Sequence, residues 1–272
     1  LKKLFVNFWR RNLAFFRLAI ITNIEYRLNF FADAVAQPLM SAGVEVMLWL
    51  AIFHGIDRGS LAGFSKENYL AYSIWAAFVS RITSNWQYEF RMIEEIETGS
   101  INTILTRPIS FFEYYLSQFL GYKFVTSLIS LVFPLGAVML LGLPTVPHRI
   151  PFALLLAGYH LVLVHCISFC VSSLAFRLNR ATGFTVAKNL CLWMLSGELF
   201  PLDLFPGFWR NIMVNQPFAN AVYIPVGFLT GRLDSSYLLR GVISNTLGLI
   251  FFGALGAALW QRGLRSYSGT GA

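Results

Sequence analysis

Four polar residues, Asp33, Gln37, Ser41 and Glu45, recur at every fourth position of an otherwise apolar run. Helical geometry places that spacing on one slowly drifting face. Ionisable groups are costly at membrane depth, so they face protein or water there and mark a functional surface. Such a stripe either lines a substrate path or holds helices and subunits together. Arg81 and Lys123, in neighbouring apolar segments, are its candidate counter-charges. Cys166 and Cys170 stand one helical turn apart beside His165, a spacing that could ligate a metal, although buried cysteine more often behaves as a small hydrophobe. With Cys191, the cysteines fall inside expected helices, which argues against a disulfide framework. His54 and His148 fall on exterior loops and His160 and His165 in one helix, and there is no HExxH, no phosphate loop, no G-x-G-x-x-G after a strand and no G-x-S-x-G elbow. No catalytic constellation, metal site or bound cofactor is expected of this chain.

The elements that must position these residues belong to a membrane protein. Of 272 residues, 56% are hydrophobic and 12% charged, with a mean hydropathy of +0.60. A hydrocarbon core about 30 Å thick needs about 20 mostly apolar residues per helix. Six segments meet that test, at about 30–53, 69–88, 117–142, 152–176, 184–200 and 240–261. No cleavable signal peptide is visible. Short loops rich in Lys and Arg stay cytoplasmic. With both termini inside, the inner side carries Lys2, Lys3, Arg10, Arg11, Arg17, Arg27, Arg91, Arg107, Arg177, Arg180, Lys188, Arg262 and Arg265. The outer side carries the smaller set, Arg58, Lys66, Arg149, Arg210, Arg232 and Arg240. The net charge of +8 therefore reads as topology and attraction to anionic lipid, and its spread along the chain argues against nucleic acid.

Residues 1–28 are too charged to span. Phe5, Trp9, Leu13, Phe16 and Ile20 recur at helical spacing, with Lys3, Asn7, Arg10 and Arg17 on another side, which suits an amphipathic elbow helix at the cytoplasmic face or an ordinary juxtamembrane anchor. Between the second and third spans, residues 89–112 read as a short acidic helix with Glu94 and Glu95, a stop at Gly99, a second turn over "SINTILT" and Pro108. Ile93, Ile96, Ile101, Ile104 and Leu105 give this segment an apolar side, and its Gly and Pro punctuation fixes geometry that a passive linker does not need. Residues 201–239 are too apolar for a plain loop and too broken for a span. Short re-entrant or interfacial helices are expected there, broken at Pro201, Pro206, Pro217 and Pro225, with Phe205, Phe208, Trp209 and Tyr223 at headgroup level. No repeat or domain boundary is evident, so 1–272 is one transmembrane domain.

The phrases "IETGSINTILTRPIS" and "SGELFPLDLFPGFWRNIMVNQPFANAVYIPVGFLTG" resemble the membrane subunit of bacterial type 2 ATP-binding-cassette exporters, in a six-helix permease subfamily with "TG…LLRPIS" after helix two. The resemblance extends over nearly the whole chain. It implies an all-α fold of six transmembrane helices with the elbow, a cytoplasmic coupling helix between helices two and three, and outer re-entrant helices between five and six. Gly99, Ile101, Leu105, Arg107 and Pro108 match the coupling motif, and Ser196, Gly197, Pro201, Pro206, Pro217, Pro225 and Gly231 match the outer segment. Ser100 and Asn102 stand where that family often has acidic residues. The implied partners are ABC ATPase subunits that carry the ATP and Mg, and a second permease subunit, in a homodimer or a similar heterodimer. The expected setting is the bacterial inner or plasma membrane. Asp33, Gln37, Arg81, Asn85, Lys188 and Asn189 are the polar candidates for a path or subunit interface. A secondary transporter driven by an ion gradient and a membrane-embedded lipid-modifying enzyme are the alternatives; the first lacks an inverted repeat and the second a clustered acid, base or metal site.

Overall fold

The computed structural model describes residues 2–25, 31–55, 60–178 and 180–267. The side chains of Lys3, Phe5 and Asn7, and residues Arg27 and Arg58, lie outside them. In chain order the helices are α1 (Lys2–Glu25), α2 (Gln37–Gly55, entered through a π turn Ala32–Ala36), α3 (Lys66–Thr83), α4 (Trp86–Glu97), α5 (Asn102–Leu105), α6 (Phe111–Ser130), α7 (Val132–Leu141), α8 (Ile150–Ser173), α9 (Thr182–Ser196), α10 (Gly207–Asn215), α11 (Tyr223–Leu229) and α12 (Ser235–Ser266). A small hairpin, β1 (Ser60–Leu61) against β2 (Phe64–Ser65), joins α2 to α3.

Four helical runs among the described residues are long and apolar enough to cross a membrane: 32–55, 111–141, 147–176 and 235–266. Of the six expected spans, the second and fifth are the ones this measure leaves out. The 18-residue α3 carries Lys66, Glu67 and Arg81, and α9 has only 15 residues. α3 tolerates polar residues because protein, not lipid, surrounds it: from Ala71 to Val79 every residue is buried.

Local sequence explains the breaks. Pro38 cannot donate to the carbonyl of Ala34 four residues back; the Ser130 hydroxyl donates to it instead, at 2.5 Å. Pro134 interrupts the 111–141 run in the same way, and α6 gives way to α7 at Leu131. Ser110 and Glu113 open α6 in S-x-x-E spacing, with Ser110 Oγ accepting from the Glu113 N–H at 3.4 Å. α4 stops at Gly99 (φ +77°) and α9 at Gly197 (φ +80°).

α8 runs through two cores. One gathers α3, α11 and the start of α8 around Trp75, Leu202, Tyr223 and Leu229; the other gathers α4, α5, α6 and the end of α8 around Met92, Ile93, Ile101, Tyr115 and Phe119. α12 lies along α8 through a buried stripe of Gly241, Asn245, Gly248, Gly256 and Gly263. Small residues permit such close approach in membranes, where packing rather than hydrophobic transfer holds helices together.

α1 lies along the first half of α6. Arg11 forms an ion pair with Glu113 and donates to the Pro108 carbonyl at 3.1 Å, Ser117 donates to Asn12 at 2.8 Å, and Phe15 meets Tyr114 edge-on at 5.0 Å. Trp9, Leu13, Leu18 and Ile21 remain exposed. The face packed on protein is thus Arg11, Asn12, Phe15, Phe16 and Ala19, offset from the apolar series read from periodicity, because the helix is apolar on two sides.

Candidate functional site

Ser84 and Asn85 separate α3 from α4. A helix end leaves carbonyls without donors, and Lys123 of α6, 4% exposed, supplies one. Its Nζ donates to the Arg81 carbonyl at 2.7 Å and to Ser84 Oγ at 3.2 Å. A cation there also matches the negative end of the α3 dipole. Lys123 stands near the middle of the 111–141 run, so the break lies deep within the membrane-spanning bundle. Irregular backbone at that depth is tolerated where protein or a watery cavity covers it. A cavity of about 780 Å³ opens at this point.

Asp33, Gln37, Arg81 and Asn85 all line that cavity, together with Lys123, Glu198, Tyr122, Trp86 and Trp193. The lower half of the four-residue stripe therefore faces the cavity, while Ser41 and Glu45 continue above it, with Ser41 Oγ donating to Glu45 at 3.4 Å. Asp33 accepts from the Tyr122 hydroxyl rather than forming an ion pair with the expected counter-charges. Lys123 is committed to the end of α3, and the Arg81 guanidinium has no hydrogen bond or ion pair among the described residues. Lys188 and Asn189 do not line the cavity. Lys188 pairs with the wholly buried Glu89 of α4, a carboxylate that would be strongly unfavourable uncompensated. Asn189 is 5% exposed on α9, with Nδ2 unpartnered.

At the other end of α4, the segment 89–112 is held in the second core by Ile93, Ile96, Ile101 and Ile104. Ile101 N–H donates to the Glu95 carbonyl at 2.9 Å across the Gly99 turn. Glu97 accepts from the Ala181 N–H at 3.1 Å, tying the segment to the start of α9, while Arg11 ties it to α1. Glu95 meets Arg91 at 3.7 Å. Of the residues singled out by sequence, Ile96 and Ile101 are internal and Gly99 half-buried, whereas Glu94, Leu105, Arg107 and Pro108 face outward. Leu105 leaves the apolar side it was assigned to: it is 37% exposed, one residue past the buried Ile104 on a single turn of helix.

The segment 201–239 folds as short pieces, most of them started by proline. Pro201 and Pro206 precede the 3-10 turn Leu202–Leu204 and α10, Pro217 opens a second 3-10 turn, and Pro225 lies in the first turn of α11. Ser196 is buried at the end of α9. Gly197 packs so closely that a Cβ would come within 2.9 Å of Tyr223 Cβ, and Gly231 turns the chain after α11 at φ +80°. Phe208 and Trp209 are exposed, but Tyr223 is not at a surface: it is 1% exposed and donates to Asp203 at 2.7 Å. Asp203 also accepts from Arg210 at 2.9 Å and Arg232 at 2.7 Å, and Arg232 sits over the rings of Phe64, Tyr69 and Tyr72.

Sequence reading missed this Asp203 node, the Glu89–Lys188 pair and the capping role of Lys123, all made by residues distant in the chain. The glycine stripe of α12 was open to it, since the glycines recur every seven or eight residues. The Cys166, Cys170 and His165 group is packing: His165 Nε2 bonds the Phe112 carbonyl at 3.1 Å and Cys170 Sγ donates to the Phe252 carbonyl at 3.2 Å.

Residues 39–271 match the family described as ABC-2 family transporter protein. The chain belongs to the ABC-2 transporter family. The match takes in α2 from Leu39 onward and every later helix, so the segments 89–112 and 201–239 and the α3, α4, α6 and α9 walls of the cavity belong to one family domain, while Asp33 and Gln37 precede it. No curated protein matches the sequence. As an ABC-2 member the chain is a multi-pass membrane protein and a permease component of an ABC transporter, a class that is generally non-catalytic and associates with ABC ATPase subunits.

Proposed function

We propose that this ABC-2 chain is the permease subunit of a bacterial inner-membrane exporter, crossing six times with α3–α4 and α9 as the second and fifth spans and both termini cytoplasmic. Two such subunits, identical or similar, form the path along the α3–α4 cavity, and separate ATPase subunits supply ATP and Mg. The observation that carries this reading is the construction of 89–112. Its buried isoleucines fix it to the core, Glu97 and Arg11 brace it against α9 and α1, and Glu94, Leu105, Arg107 and Pro108 are left outward. A braced element with an exposed apolar and basic tip transmits a push, which an unanchored loop does not. It continues directly into α4, whose other end is the cavity wall.

The test is recovery of partners from native membranes by mass spectrometry, using the tagged chain and the double variant Leu105→Asp, Arg107→Glu. An ATPase should accompany the wild type and be lost from the folded variant. Equal recovery from both would remove 89–112 as the docking element, and no ATPase from intact complexes would favour the gradient-driven alternative.

A further inference from the structure

The cavity at the α3–α4 break holds more polar capacity than the protein itself uses. Asn85, 4% exposed, has no partner for either side-chain amide atom, although buried amides are nearly always paired. It is also the residue before α4, and its side chain does not cap that helix. The first N–H groups of a 12-residue helix, with the positive end of its dipole, therefore open beside it. Arg81 and Lys123 line the same wall. Around them stand Trp86, Phe90, Tyr122 and Trp193, a surface suited to an apolar chain.

We infer, resting on the permease reading above, that the cavity binds the singly charged anionic headgroup of an amphiphile, a phosphodiester or a carboxylate, between Arg81, Asn85 and the start of α4. A half-helix N-terminus near the bilayer midplane is well placed to receive such a group. Asp33 and Glu198 line the same cavity. The Asp33 carboxylate disfavours a second negative charge on the ligand, and any cationic part of the headgroup is directed to it. Lys123 spends two of its three N–H donors on the end of α3 and contributes chiefly its field.

Binding is read as quenching of tryptophan fluorescence in the purified full chain, in phosphatidylcholine nanodiscs, by three brominated amphiphiles: dibromostearate, a brominated lysophosphatidylglycerol and a brominated alkyltrimethylammonium. A saturable component is expected with one or both anions. Carboxylate alone identifies a fatty-acid-like ligand, phosphodiester alone a phospholipid-like one, and both define the site by charge. Arg81→Gln should weaken that component about ten-fold or more, as loss of a charge-assisted hydrogen bond does. Arg240→Gln, outside the cavity, should not. The double variant Trp86→Phe, Trp193→Phe should abolish the saturable signal, which locates the site even where Arg81→Gln fails to fold. Equal quenching by the cation, wild-type affinity in folded Arg81→Gln, or a saturable signal surviving loss of both tryptophans would each overturn the assignment. Binding is measured on the isolated chain and ATPase recovery on native membranes, so either result can fail alone.

Discussion

Removing Asp203 should destabilise the segment 201–239 more than removing its main partner. Arg232 is 1% exposed on its side chain and Asp203 is 3% exposed. Asp203→Ala leaves a guanidinium enclosed by Phe64, Tyr69 and Tyr72 with no anion, and an uncompensated buried charge costs about 3–5 kcal/mol. Arg232→Met is milder, because Asp203 keeps Arg210 at 2.9 Å and the Tyr223 hydroxyl at 2.7 Å, while the thioether fills the aromatic cage. What is lost there is one ion pair and a desolvated cation–π contact, together about 2–3 kcal/mol. The double variant should cost about 1 kcal/mol or more less than the sum of the two, since removing the cation relieves the penalty of removing the anion. Equilibrium unfolding in mixed detergent micelles, followed by tryptophan fluorescence, supplies the four free energies of the cycle. Additive losses within about 0.5 kcal/mol would refute the pairing as an energetic unit, and a larger loss for Arg232→Met than for Asp203→Ala would refute the assignment of the uncompensated charge.

Two further predictions concern close packing. Gly121 lets α1 approach α6: a Cβ there would come within 2.6 Å of the Phe16 carbonyl and 3.0 Å of Ala19 Cβ. Gly121→Val should therefore separate the helices and abolish the disulfide that Asn12→Cys and Ser117→Cys otherwise form across their 2.8 Å hydrogen bond; unchanged cross-linking would show that α1 is not seated as described. On α12, a Cβ at Gly263 meets Phe176 Cγ at 2.8 Å whereas one at Gly253 meets nothing within 4 Å. Gly263→Ala should cost about 1–3 kcal/mol in unfolding free energy and Gly253→Ala should stay within about 0.5 kcal/mol, an order whose reversal would remove the stripe as the contact between α12 and the 147–176 run.

Much of this was legible because membrane helices obey simple constraints of length and hydropathy, and because Gly and Pro act locally. The Gly99 stop and the proline breaks at 201, 206 and 217 needed no tertiary knowledge, and the third apolar run was expected at about 117–142 although its helix already starts at Phe111. The expected spans that composition describes least well are α3, which is buried from Ala71 to Val79, and α9, whose Lys188 pairs with Glu89. A hydropathy scale measures transfer into lipid, so it undervalues α3, which protein encloses, whereas α9 falls short by its 15-residue length. The same reasoning explains why four of the six polar candidates met in one cavity while Lys188 and Asn189 stayed outside it. Position along a helix fixes the face a residue occupies, but which faces meet depends on neighbours that sequence spacing does not encode.

The break between α3 and α4 joins these scales. Asn85 and Ser84 interrupt a helix whose lower part, α4, leads into the Gly99 turn and the exposed Leu105 and Arg107, and whose upper part, α3, is enclosed by α2, α8 and α11. A rigid rod enclosed along its upper half would resist displacement at its lower end. The interruption, held by Lys123, places a joint at the cavity wall between the enclosed α3 and the α4 that carries Glu94. A lysine cap suits that position, because three donors on a flexible stem follow a carbonyl through small rotations that a fixed fork of donors would not.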